Sequence, residues 1–165
     1  MASGNSGDAK AKKHLVLNAF VEMCKSVRAP AVVSEGFQGY QADNVSSGSG
    51  HQSPGLWRHP EDQSWSFTDI DHWVELAKLL EEASFHGIFI ADVLGGYDVY
   101  KQSLDPAVIS GSQWPVNEPL SVVSAMASAT RNIGFGVTVS TTYEQPYHLA
   151  RRLSTMDHLT KGRLG

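Results

Sequence analysis

Residues 87–92, GIFIAD, run straight into VLGGYDVY (93–100). A short, nearly all-apolar run ends in a carboxylate and is followed by a glycine pair and two tyrosines. Such a run suits a strand buried on both faces, as in a parallel sheet, where the alternation of apolar and polar residues is lost. The flanking segments supply the crossovers that a parallel sheet needs. Upstream, SFTDIDHWVELAKLLEEASF (66–85) has Ile70, Trp73, Val74, Ala77 and Leu80 on one helical face at spacings of three and four. Ser66 or Thr68 offers a loose capping box, each with an aspartate three residues on, and His86-Gly87 closes the helix.

Downstream, the long loop 93–116 leads to NEPLSVVSAMASATRN (117–132). Pro119 suits a first helical turn, and Leu120, Val123 and Ala127 line one face. IGFGVTVST (133–141) is a third strand, rich in β-branched residues, with glycine at alternate positions 134 and 136. QPYHLARRLSTMDHLTKGR (145–163) is a helix with the stripe Leu149, Leu153, Met156 and Leu159, and Gly162 stops it. HLVLNAF (14–20) is the first strand, and Leu164-Gly165 opens a fourth. The order β-α-β-α-β-α argues for right-handed crossovers on a parallel sheet. A doubly wound sheet and a (β/α)8 barrel both fit. The first strand–helix turn lacks G-x-G-x-x-G, which weighs against a dinucleotide-binding unit. A barrel needs about 250 residues, so on that reading these units are its first three-eighths.

The remaining sequence narrows the function classes. Net charge is −4 and 41% of the 165 residues are hydrophobic, so nothing pulls the chain towards nucleic acid or anionic membrane. No apolar run has bilayer length. Residues 1–13 lack the apolar stretch of a secretory signal and read as a disordered leader. Cys24 is the only cysteine, which excludes an internal disulfide and fits a cytoplasmic location. Residues 25–50 hold glycines, a proline and a Ser/Gly cluster with no periodicity, an unusually long irregular loop for a compact domain.

In either architecture, sites form at the carboxyl ends of the strands. That rule selects Asn18 and Phe20 from strand one, Asp92 from strand two, and Thr138, Ser140 and Thr141 from strand three. Each has a structural alternative. Asp92 can cap its own loop, and Thr138 can be a strand residue with a satisfied hydroxyl. The glycines at 134 and 136 serve packing or admit a flat ring. The histidines show no metal-ligand spacing, and Arg151-Arg152 suits a solvated helix face better than a phosphate clamp. P-loop, zinc and nucleophile-elbow patterns are lacking.

The stretches HQSPGLWRHPEDQSW, ADVLGGYDVY, QWPVNEPL and GFGVTVSTTYEQPYHLARRLSTMDHLTKGRLG resemble the flavin-dependent monooxygenases of the bacterial luciferase-like superfamily. The resemblance is to the branch with nitrilotriacetate, dibenzothiophene-sulfone and long-chain alkane monooxygenases, and it covers residues 14–24 and about 50–165. It implies the N-terminal part of a (β/α)8 TIM barrel, cut after about three βα units. Residues 14–165 would form that partial barrel, interrupted by an irregular insertion at 25–48. The family pattern passes almost directly from AFVEMC to SGHQSPGLW, so Lys25–Gly48 is expected to be either a translated, unspliced intron or a lineage-specific loop.

The resemblance also implies reduced FMN supplied by a separate NAD(P)H:flavin reductase. With O2, it would oxygenate a small organic substrate, usually in a homo-oligomer. It sets Asp92 and Thr138 beside the isoalloxazine and ribityl region, and Tyr97, Gln113, Asn117 and His51 nearer the substrate. No metal, nucleic acid or membrane partner is implied. An incomplete barrel exposes strand edges, so the 165-residue chain is expected to be poorly stable and catalytically silent. Two other functions remain open: a non-catalytic flavin-binding or remnant protein, and an oxidoreductase using the deazaflavin F420.

Overall fold

The computed structural model describes residues 16–22, 58, 60, 64–111 and 117–165. The expected leader (1–13), the insertion at 25–48, Cys24, His51 and Gln113 lie outside them. Three parallel strands form one sheet in the order β1 (Asn18–Glu22), β2 (Gly87–Ala91), β3 (Gly134–Val137). Between and after them run α1 (Ile70–Glu82), α2 (Asp105–Ser110), α3 (Leu120–Ala129) and α4 (Pro146–Thr160). Phe20 pairs with Phe89, which pairs with Gly136, while Ile88 pairs with Phe135. Past α4, Phe135 bridges Leu164 in parallel, with Phe135 N donating to Arg163 O at 2.7 Å. A fourth strand thus begins where the sequence places it.

Helices cover one face of this sheet. Val21, Ile88, Ile90 and Phe135 point into it and join Trp73, Leu76, Ala77 and Leu80 of α1 and Leu120, Val123 and Met126 of α3 in one buried cluster. Burying a side chain of this size contributes about 1.5–3 kcal/mol. The α1 face is rotated from the expected one. Ile70, the first helical residue, is exposed, and Leu76 takes an inward place. Neither Ser66 nor Thr68 caps α1. They lie in a 3-10 turn (Ser64–Thr68), and Asp69 is the N-cap, its Oδ1 accepting from Asp71 N at 3.1 Å. The α4 stripe is half realised: Leu153 and Met156 pack on the core, whereas Leu159 is exposed. Gly162 stops α4 as expected, with Lys161 and Gly162 both left-handed (φ 60° and 75°) and Gly162 N donating to Asp157 O.

Two expectations about boundaries fail for physical reasons. β1 starts at Asn18 and runs two residues past the end of HLVLNAF to Glu22, so Asn18 opens the strand instead of ending it. The region 93–116 is not all loop: Asp105–Ser110 is a helix, ended by left-handed Gly111 (φ 66°). Its two turns are too short for periodicity to reveal.

One polar contact ties the helical layer to the sheet. The Glu81 carboxylate at the end of α1 accepts the backbone N–H groups of Arg131, Asn132 and Ile133, at 2.6–3.1 Å, in the turn entering β3. Arg163 anchors the fourth-strand segment, donating to Thr130 Oγ1 and to the carbonyls of Ala127, Ile133 and Thr160.

Candidate active site at the carboxyl ends of the strands

Asp92 follows the last residue of β2, and Thr138 follows the last residue of β3. Their strands are paired, and Thr138 N donates to Ile90 O at 3.1 Å, which extends the ladder to the rim. The two residues differ in direction. Side chains alternate along a strand, so Thr138 continues the inner series Gly134, Gly136. Asp92 continues the helix-covered series Ile88, Ile90. The charges that act on Asp92 agree with this: Glu118 before α3, Glu144 before α4, and Arg152 within α4.

Asp92 is half-buried, and its carboxyl is raised above the usual aspartate range. Burial is the largest cause, followed by the negative charge of Glu118. A hydrogen bond from Val93 N and the charge of Arg152 oppose them, while Glu144 adds to the rise. Burial penalises the ionised form, and like charges add to that. Glu118 is itself fixed: its carboxylate caps α3, accepting from Leu120 N at 3.0 Å and Ser121 N at 2.9 Å. Glu144 is held by Arg152, Nη2 to Oε1 at 2.6 Å.

The inner face of the sheet carries a flat apolar surface. Phe20 and Phe89 stack at 5.5 Å between centroids and 20° between planes, and both are exposed. A Cβ on Gly136 would meet Phe89 Cδ2 at 2.9 Å, so the missing side chain lets this ring lie flat. Phe20 therefore belongs to this inner surface and not to the rim. Tyr97 is exposed in the loop after β2, and Ser140 and Thr141 lie in the turn after β3. Asn117 lines a groove of about 330 Å³ with Thr68, Asp69 and Trp73. No group of three or more metal-ligating side chains occurs among the described residues. Glu118 and Glu144 were not singled out by the sequence, and Arg152 was expected on a solvated helix face but binds Glu144, because only the fold brings these separate segments around Asp92.

The family model described as luciferase-like monooxygenase matches residues 44–165. The chain belongs to the luciferase-like monooxygenase family. Within this family it is 58% identical over 115 residues to the long-chain alkane monooxygenase of Geobacillus thermodenitrificans, covering 70% of this chain and 26% of that one. It is 46% identical to the dimethyl-sulfide monooxygenase of Hyphomicrobium sulfonivorans, covering 93% and 27%. The crystal structure of a riboflavin lyase with modified FMN and its substrate riboflavin superposes with a TM-score of 0.70 at 31% identity, covering 93% and 29%. The chain thus spans about a quarter of the length of its curated relatives. Its sheet and helices are the opening units of the (β/α)8 barrel that luciferase-like monooxygenases share. Among the described residues, no helix is long and apolar enough to cross a membrane.

Proposed function

We propose that the chain contributes one wall of the flavin site in an FMN-dependent, two-component monooxygenase that acts on a small organic substrate. The observation that carries this reading is the placement of Asp92 and Thr138 just past the ends of adjacent parallel strands, at the carboxyl rim, in a luciferase-like monooxygenase. An FMN derivative in the related riboflavin lyase supports the choice of flavin. Relatives that oxidise an alkane and dimethyl sulfide support a small, weakly polar substrate.

The residues present suit a flat ring with polar edges. Reduced FMN, delivered by a separate NAD(P)H:flavin reductase, supplies the activation of O2. The chain's own groups bind and shield. The Asp92 carboxyl, its pKa raised by burial and by Glu118, offers a hydrogen-bonding group to the polar edge of the ring. Thr138 offers a hydroxyl one strand away. The Phe20–Phe89 stack gives an apolar floor that excludes water. Tyr97, Gln113, Asn117 and His51 are assigned to the substrate side.

Titration of the chain with FMN, followed by flavin fluorescence, tests this reading. Saturable binding is expected, weakened about tenfold by Asp92→Ala and by Thr138→Val, each of which removes one hydrogen-bonding group. Unsaturable binding, or variants that bind as the parent does, would overturn it. Preference for F420 over FMN in the same titration would replace the monooxygenase with a deazaflavin-dependent oxidoreductase.

A further inference from the structure

We propose that Glu118 is a positioning residue for the flavin wall, fixing a negative charge beside Asp92 so that a ring seated at the rim is bound together with one proton on that carboxyl. The inference rests on the flavin reading above and adds to it the residue that sets the proton.

A cluster of charges behind the rim carries the argument. Glu118 stands just before α3 and Glu144 just before α4, and the charges of both reach Asp92 at the end of β2. Two guanidiniums lie among them. Arg152 is bound to Glu144, Nη2 to Oε1 at 2.6 Å, and Arg151 lines one groove with Arg152 and Glu118. Three carboxyls thus face two guanidiniums, so full ionisation leaves one negative charge over.

The partners of each carboxyl decide where that surplus is relieved. Glu118 is taken up by three donors, Leu120 N at 3.0 Å, Ser121 N at 2.9 Å and Ser121 Oγ at 2.5 Å. Glu144 is taken up by Arg152. Asp92 is met by the N–H of Val93, its own neighbour in the chain. Asp92 is therefore the member with the least compensation, and its raised carboxyl agrees: burial comes first, and Glu118 is the strongest of the charges acting on it. Both oxygens of Glu118 are engaged with α3, so its charge cannot turn away. A ring at the rim removes further water from Asp92. Burial penalises the ionised form, so ring and proton bind together.

The test is a carbon-13 NMR titration of the Asp92 side-chain carboxyl in the 165-residue chain, beside FMN fluorescence titrations over the same pH range. Glu118→Gln keeps an acceptor for the α3 amides and removes the charge, so the Asp92 midpoint is expected to move to lower pH. Arg152→Gln is expected to move it to higher pH, and Arg152→Lys, which keeps the charge, to leave it near the parent's. FMN affinity is expected to fall by up to about tenfold per pH unit above the Asp92 midpoint, the slope of one linked proton. The bend in that profile should follow the midpoint in Glu118→Gln. His148 also lines the groove and can take a proton, so the profile is repeated in His148→Gln, which should keep the bend. A midpoint unmoved in Glu118→Gln, or a bend that disappears with His148, would overturn the assignment. A midpoint that moves in a chain unable to bind FMN would keep the link between Glu118 and Asp92 and overturn the flavin reading instead. If Glu118→Gln unfolds by circular dichroism, the opposite shift in Arg152→Gln decides, and its absence overturns the assignment equally.

Discussion

Phe89 and Ile90 are neighbours in one strand, yet Ile90 is completely buried and Phe89 is 41% exposed. The same contrast divides the whole sheet. Its outer face, closed by α1 and α3, holds Val21, Ile88, Ile90 and Phe135 at 0–2% exposure. Its inner face presents Phe20 and Phe89 as an open stack beside Gly136. Stability is concentrated on the first face, whereas the second offers binding surface. With α1 and α3 packed on the outer face, the described residues leave the apolar inner face as a surface for further strands of a barrel or for a bound ring.

The largest expected effect comes from breaking the outer face. Phe135→Ala should destabilise the chain by about 3–5 kcal/mol, because the ring is buried among Ile88, Met126 and Ile133 and its loss leaves a cavity. Phe89→Ala should cost under about 1 kcal/mol, since roughly half of its surface already meets water. Urea unfolding of the two variants measures the difference. Equal losses would mean that the two faces are equally coupled to folding and would remove the contrast.

Glu81 comes next. Glu81→Gln weakens three amide contacts between α1 and the turn into β3, an expected loss of about 1–2 kcal/mol at neutral pH, towards the low end because the site is partly open to water. Burial acts to raise the pKa of Glu81, but the three amides and Arg163 outweigh it and hold the carboxylate below the usual glutamate range. A lowered acid stabilises the fold above its unfolded pKa and loses that contribution as pH falls through its folded pKa. The gap between parent and variant should therefore shrink as pH falls below about 4. A gap independent of pH would show that the contacts act through geometry and not through charge.

Gly136→Ala probes the inner face directly. The new Cβ would overlap the Phe89 ring edge. Because that ring is exposed and can move, the cost should be about 1 kcal/mol, the low end for overpacking. Phe89→Ala should recover most of it in the double variant. Failure of that recovery would place the strain in the backbone of β3 instead of in the ring.

The contrast between faces also explains what could be read in advance. GIFIA was legible as a strand of a parallel sheet, and Leu120, Val123 and Ala127 as the buried side of α3, because spacing alone dictates them; the expectation that GIFIA is buried on both faces fails at Phe89, which is exposed on the inner face. The glycines at 134 and 136 stayed ambiguous until the register placed Gly136 opposite Phe89. Ile70 was misassigned because periodicity says nothing about where a helix begins relative to the sheet beneath it. Asn18 was misplaced because the apolar run HLVLNAF starts before its pairing partner does. Around Asp92 only the carboxylate itself was legible. Glu118, Glu144 and Arg152 come from three separate segments, and no local pattern joins them. The rim is thus the region where sequence spacing carries the least information and tertiary placement the most.

The smallest expected effect concerns that rim. Asp92 is raised above the usual aspartate range, by burial first and then by Glu118. A group raised in the folded state favours folding when protonated. Its contribution is fully present below the unfolded pKa and is lost as pH rises through the folded one. The parent chain should therefore gain a little stability as pH is lowered from neutral towards about 4, the unfolded aspartate value, in contrast to Glu81, whose contribution disappears in acid. Asp92→Asn removes the ionisation while keeping the shape, so its unfolding free energy should lack that gain and exceed the parent's slightly at neutral pH. The two variants then test the sheet with opposite signs. If Asp92→Asn and the parent follow the same pH profile, the carboxyl is solvated like a free one, and the rim carries no stored electrostatic cost for a bound ring to relieve.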